Sequence, residues 1–210
     1  MKKIIFILFL FFLLYACYYI YKVTEDNKLN VLVVGDNIAN NPYLANLGIV
    51  NNDFINEDYH LNDLLNIVKY NQELDNNISI HQLLKKADIL IISIGSNDLY
   101  YKLNDNTKKI YTYMNNIISN YDLLLSYIHR YDYKKVYVLG YNNTYDKYDD
   151  VFTYINYKLE KMANYYGYTY LNIDKIDLKD DYYRKIYELI VENLNKYWYN
   201  IKCVYYYDLN

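Results

Sequence analysis

Two short apolar runs in this chain end in residues able to do chemistry. Val31-Leu-Val-Val34 leads into Gly35-Asp36-Asn37, and Ile89-Leu-Ile-Ile-Ser-Ile94 leads into Gly95-Ser96-Asn97-Asp98. An apolar run broken by Gly and polar residues is the pattern of a buried parallel strand that delivers its C-terminal end to a site. Carboxylates recur at such places: Asp36, Asp58, Asp98, Asp174 and Asp177 converge at one sheet edge on this reading. Clustered oxygen ligands would suit Mg²⁺ or Ca²⁺. Aspartates also cap helices and end strands throughout α/β proteins, however, so no metal and no cofactor is assigned.

The elements that must position these residues alternate along the chain. The strand ending at Gly35 is followed by a turn and short helix over 37–47, which holds the single proline, Pro42. Asp53-Phe-Ile-Asn56 reads as a short second strand, and Leu61, Leu64, Leu65 and Val68 mark an amphipathic helix. Ser79 is the expected N-cap of a helix with Ile80, Leu83 and Leu84 on one face. After the Ile89–Ile94 strand come a long helix over 107–131, a strand at Lys135–Gly140, a helix over Val151–Tyr165, a strand at Tyr168–Ile173 and a last helix over 180–197. This alternation predicts an α/β fold, a three-layer α/β/α sandwich with a mainly parallel sheet. Sites in such sheets lie at the C-terminal strand ends, where Asp36, Asn97, Gly140 and Asp174 would gather.

Together the two strand-end motifs resemble the first and third signature blocks of the SGNH (GDSL-type) esterase and lipase family. The resemblance implies a flavodoxin-like sandwich. It also implies a site in which a Ser attacks an acyl carbon and a His takes its proton. An Asp three residues before the His orients the imidazole. Backbone N–H groups and an Asn amide then hold the oxyanion, each donor worth ~3 kcal/mol. Carried onto this chain, Gly35-Asp36 match the first block, and Asn37 stands where the nucleophilic Ser belongs. The second block, a Gly in relatives, falls at Asp58, where a carboxylate would repel an oxyanion. Gly95-Ser96-Asn97-Asp98 match the third block fully and make Asn97 the side-chain donor. In the last block Asp174 fits the orienting acid, and Asp177 occupies the His position. Gly35, Asp36, Asp58, Gly95 and Asp98 would line the ligand site. No replacement base is evident in the motifs: His60, His81 and His129 sit in or beside helical patterns. Ser93 and Ser96 lie near the site without a base beside them.

Composition narrows the setting. A net charge of −3 with no basic stripe gives no reason to expect nucleic acid. No Gly-x-Gly-x-x-Gly follows a strand, which argues against a dinucleotide site. The 33 tyrosines, against five glycines and one proline, read as core-edge and surface residues with wet hydroxyls. Lys2 and Lys3 precede an uncharged run from Ile4 to Tyr21, long enough for one bilayer span, and the positive-inside rule puts the rest of the chain outside the cytoplasm. Leu14-Tyr15-Ala16-Cys17 approximates a lipobox, so a lipid anchor is the alternative. The division expected is a signal anchor or lipoprotein signal over 1–22, a linker over 23–29, the SGNH-like domain over 30–197 and an aromatic tail over 198–210. With the nucleophile and base positions both substituted, the expectation is a membrane-tethered, non-hydrolytic member of the family. It would bind a cell-envelope carbohydrate or acyl ester. The alternative is an active esterase or O-deacetylase with another catalytic arrangement.

Overall fold

The computed structural model describes residues 12–15, 17–18, 29–36, 39–47, 49–73, 77–100, 103, 107–131, 135–143, 148–174, 176 and 181–207. Five strands form one sheet: β1 (Asn30–Gly35), β2 (Ile49–Ile55), β3 (Ile89–Ser93), β4 (Lys135–Leu139) and β5 (Thr169–Leu171). Their order is β2-β1-β3-β4-β5, and every pairing is parallel. β1 and β3 are interior strands covered on both faces, so Val31–Val34 and Ile89–Ile92 are apolar at consecutive positions rather than alternately. Their register pairs Val31 with Ile89 and Gly35 with Ser93, which brings the two motif-bearing ends level.

Alternate residues of each strand feed opposite layers. Leu32, Val34, Leu90, Ile92, Val136 and Val138 pack on the face covered by α1 (Leu61–Tyr70), α2 (Ile80–Lys86), α4 (Thr107–Ile128) and α5 (Asp149–Tyr165). Val31, Val33, Ile89, Ile91, Tyr137 and Leu139 face a 3₁₀ turn (Pro42–Leu47) and α6 (Tyr182–Tyr207), through Leu44, Ile186, Ile190 and Leu194. The expected three-layer sandwich is therefore the observed one. A short helix, α3 (Ser96–Tyr100), continues directly from the β3 motif.

The helix ends carry the local chemistry. Ser79 caps α2 as expected: its hydroxyl accepts the Gln82 N–H at 3.3 Å, and Gln82 Oε1 accepts the Ser79 N–H at 3.2 Å. At α1 the cap is shared. Asp63 Oδ2 accepts the His60 N–H at 2.9 Å, while Asp98, from beyond β3, accepts the Leu61 N–H at 2.7 Å.

Two boundaries differ from the sequence expectation. β2 begins at Ile49, not Asp53, because it is an edge strand pairing with β1 alone, and one-sided pairing tolerates the polar Asn51-Asn52-Asp53. α6 runs on to Tyr207, through the segment set apart as an aromatic tail. Residues 12–15 and 17–18, from the N-terminal apolar run, are helical and exposed, and the remainder of that run lies outside the described residues. No helix among the described residues is long and apolar enough to cross a membrane.

Candidate functional site

The sheet order reverses direction between β1 and β3, since the chain leaves β1 for β2 on one side and returns to β3 on the other. In open α/β sheets the crevice at the carboxyl ends of such strands is the ligand site. Gly35 enters this crevice with φ 144°, and a Cβ there would stand 1.6 Å from the Ser93 carbonyl oxygen. Only glycine permits so close an approach of the two strand ends. The Asp36 N–H then donates to that same carbonyl at 2.8 Å. Asp36 is fully buried, and its Oδ2 accepts the Ser96 N–H at 3.0 Å. The first and third motifs are thus joined by backbone and carboxylate together.

Gly95 has φ 99°, and a Cβ there would meet the Tyr141 hydroxyl at 2.3 Å. Tyr141 donates that hydroxyl to the Ile94 carbonyl at 3.1 Å. Its backbone is held by Asn156, whose Oδ1 accepts the Tyr141 N–H at 2.7 Å and whose Nδ2 donates to the Tyr141 carbonyl at 2.9 Å. Burial, and then the nearby Tyr121 and Asp36, push the Tyr141 phenol well above its usual range. Asn142 extends the network by donating to the carbonyls of Ile173 and Ile176, at 3.0 and 2.7 Å, and by accepting the Tyr100 hydroxyl at its own carbonyl. The ends of β3, β4 and β5 are therefore stapled by one phenol and two amides. Sequence reasoning passed over Tyr141, Asn142 and Asn156. The available signal was the pair of amides that follows the strand-ending Gly140.

Asn97 is half-buried at the start of α3. Its Nδ2 donates to the Glu57 carbonyl at 2.6 Å and to the Tyr59 carbonyl at 3.0 Å. Because both partners are carbonyl oxygens, the amide orientation follows from the network. Both amide protons are spent on the turn after β2, and neither is left for an oxyanion in this arrangement. Asp58 lies in that turn, exposed, with its N–H on Asn56 Oδ1 at 2.9 Å. Asp174 sits after β5, where Oδ1 accepts the Asn143 N–H at 3.1 Å. Asn37 and Asp177 lie outside the described residues. Of the five aspartates, Asp36, Asp58, Asp98 and Asp174 are among the described residues. Among the described residues, no group of three or more His, Cys, Asp or Glu side chains could hold a metal ion.

One pairing was not legible in the motifs. His60, just before α1, has its Nδ1 3.5 Å from Asp98 Oδ1, with the His60 side chain about half exposed (49%). An imidazole oriented by a carboxylate is the arrangement a general base requires. His81 and His129 have other engagements: His81 Nε2 lies 2.7 Å from the Val68 carbonyl, and His129 packs against Tyr166 and Tyr168.

No protein-family model matches the chain, and no curated protein matches it in sequence. Solved structures do match. The acetylxylan esterase Axe2 from Geobacillus stearothermophilus aligns with a TM-score of 0.51 at 15% identity, over 75% of this chain and 80% of that one. A catalytic mutant of the same esterase aligns with a TM-score of 0.52 at 16% identity, over 69% and 76%. At this identity the likeness speaks to architecture. With the sheet order, the level ends of β1 and β3 and the Gly95-Ser96-Asn97-Asp98 motif, it assigns this chain the fold of the SGNH-type esterases.

Proposed function

We propose that this chain is a membrane-tethered, extracytoplasmic SGNH-like domain that does not hydrolyse esters and serves instead as a binding module at the cell envelope. The observation that carries the reading is the residue after Gly35-Asp36. The close approach of Gly35 to Ser93 supports matching Gly35-Asp36 to the first motif, and by that match in sequence Asn37 takes the nucleophile position. A carboxamide has no hydroxyl to attack an acyl carbon. Loss of a nucleophile or base alone costs ~10⁶ in rate in a serine hydrolase. The engagement of Asn97 with Glu57 and Tyr59 supports the same conclusion, as does Asp177 in the base position. The tether rests on the uncharged Ile4–Tyr21 run behind Lys2 and Lys3, with lipidation at Cys17 as the other form of attachment.

A second reading has one observation in its favour. An esterase or O-deacetylase acting on acyl esters of envelope carbohydrate or lipid would need a base, and His60 held by Asp98 is placed as one.

One assay separates the two. The full-length chain is tested for hydrolysis of an aryl acetate beside His60→Gln and the double variant Asn37→Ser with Asp177→His. The binding-module reading expects no turnover by the unmodified chain, with some recovered in the double variant. Turnover by the unmodified chain that disappears with His60→Gln would overturn it in favour of the second.

A further inference from the structure

Where the start of α1 meets the middle of α4, the surface opens into a cleft of about 150 Å³. It lies on the α1/α4 flank of the carboxyl edge and shares Asp98 with the third motif. Its walls bring together His60 and Asp98, Asn62 from α1, and Tyr113, Asn116 and Asn120 from α4. We infer that this cleft is a binding site for a neutral, hydroxyl-bearing ring of about the size of one sugar unit.

Size sets the first limit. At ~30 Å³ per water, the space takes about five waters, which suits one small ring or short polyol. Charge sets the second. The lining holds no Lys or Arg to hold an anion. Asp98 Oδ2 is taken by the Leu61 N–H at 2.7 Å, and its Oδ1 lies 3.5 Å from His60 Nδ1.

The donor and acceptor inventory points to hydroxyls. Asn120 Nδ2 donates to Asn62 Oδ1 at 2.8 Å, a bond that bridges the two helices and fixes both amides. This leaves Asn120 Oδ1 as an acceptor and the Asn62 NH₂ as a donor, while Asn116, exposed, is a third amide residue in the lining. The His60 ring, with Nδ1 3.5 Å from Asp98 Oδ1, adds a polar edge to the lining. A hydroxyl both donates and accepts, and paired amide O and NH₂ groups answer it without the desolvation cost of an ion. Tyr113 adds an aromatic wall, which can cover the C–H face of a ring. Surface amides on helices are common. These differ in that Asn62 and Asn120 bridge two helices and line one cleft with His60 and Asp98.

The cleft shares His60 and Asp98 with the esterase reading above, so its test reads binding alone and uses no turnover. The full-length chain, kept in solution by a detergent without a sugar headgroup, is examined by saturation-transfer NMR. The probes are methyl xyloside, methyl glucoside and methyl N-acetylglucosaminide, with glycerol as the open-chain comparison. Saturation should reach at least one glycoside above the glycerol level. It should fall by more than half in the double variant Asn116→Ala with Asn120→Ala, and again in His60→Gln. Circular dichroism reports that each variant is folded. Glycoside signals no stronger than glycerol, or signals that persist in both folded variants, would overturn the assignment.

Discussion

Gly35 and Ser93 meet so closely that the Ser93 carbonyl oxygen occupies the space of a Gly35 Cβ, at 1.6 Å. This contact, between β1 and β3, aligns the two strand ends on which the candidate site is built. Gly35→Ala therefore faces both a backbone clash and a strained φ of 144°. Overpacking costs about 1–3 kcal/mol and an unfavourable backbone region about 1–3 more, so a loss of about 2–6 kcal/mol is expected. Gly95→Ala should cost less, because its Cβ would meet the Tyr141 hydroxyl, the end of a side chain, at 2.3 Å. Urea unfolding of both variants checks the order. A Gly95→Ala midpoint below that of Gly35→Ala would show that Tyr141 cannot yield.

Asn156 and Tyr141 supply the next test. Asn156 satisfies both the N–H and the carbonyl of a residue that is 3% exposed, so water cannot replace it without opening the edge. Leaving a buried donor or acceptor unmet costs about 1–3 kcal/mol. Asn156→Leu removes two partners at once and should cost about 2–5 kcal/mol, read from the urea midpoint. Asn156→Asp retains the acceptor for the Tyr141 N–H and sets a carboxylate against the Tyr141 carbonyl. It should therefore recover stability on acidification, as the protonated acid regains a donor. A pH-independent deficit in that variant would count against the pairing.

Asp98 is the residue of the third motif whose task is plainest, since it accepts the first N–H of α1 at 2.7 Å. Asp98→Ala should lose about 1 kcal/mol as a helix cap is removed. Asp98→Asn keeps an acceptor but gives up the charge that favours a helix N-terminus, an effect of about 0.3–1 kcal/mol. Thermal melts should order the three as Asp98, then Asn, then Ala. A melt of Asp98→Ala equal to that of the unmodified chain would remove the cap from the account.

These contacts mark where sequence reasoning stopped. β1 and β3 are legible because strands covered on both faces are apolar throughout, as in Val31–Val34 and Ile89–Ile92. β2 was cut short because its edge position allows Asn51 to Asp53 within it. The end of α6 was obscured by the tyrosines from 197 onward, which carry strand propensity as readily as helix. In the site, Gly95-Ser96-Asn97-Asp98 could be read as a motif, but not the direction of its bonds. That Asn97 serves Glu57 and Tyr59, and Asp98 serves Leu61 and faces His60, depends on β2 and α1 arriving beside β3. Residues nearly forty positions apart leave no local pattern.

The buried phenols give a pH dependence of definite sign. Burial, first among the causes, raises Tyr121, Tyr141, Tyr168, Tyr170 and Tyr182, and raises Tyr166 to about 12 with help from Asp122. In the unfolded chain each would titrate near 10. A group whose folded pKa is raised binds its proton more tightly in the native state. Its contribution is complete below the unfolded value and is lost as pH rises through the folded one. Stability referable to these tyrosines should be flat up to about pH 10 and fall steeply above it. Phenolate absorbance from this raised set should therefore appear only as circular dichroism reports unfolding. A single smooth absorbance titration that is finished before the fold is lost would mean the phenols at the ends of β3, β4 and β5 are open to water.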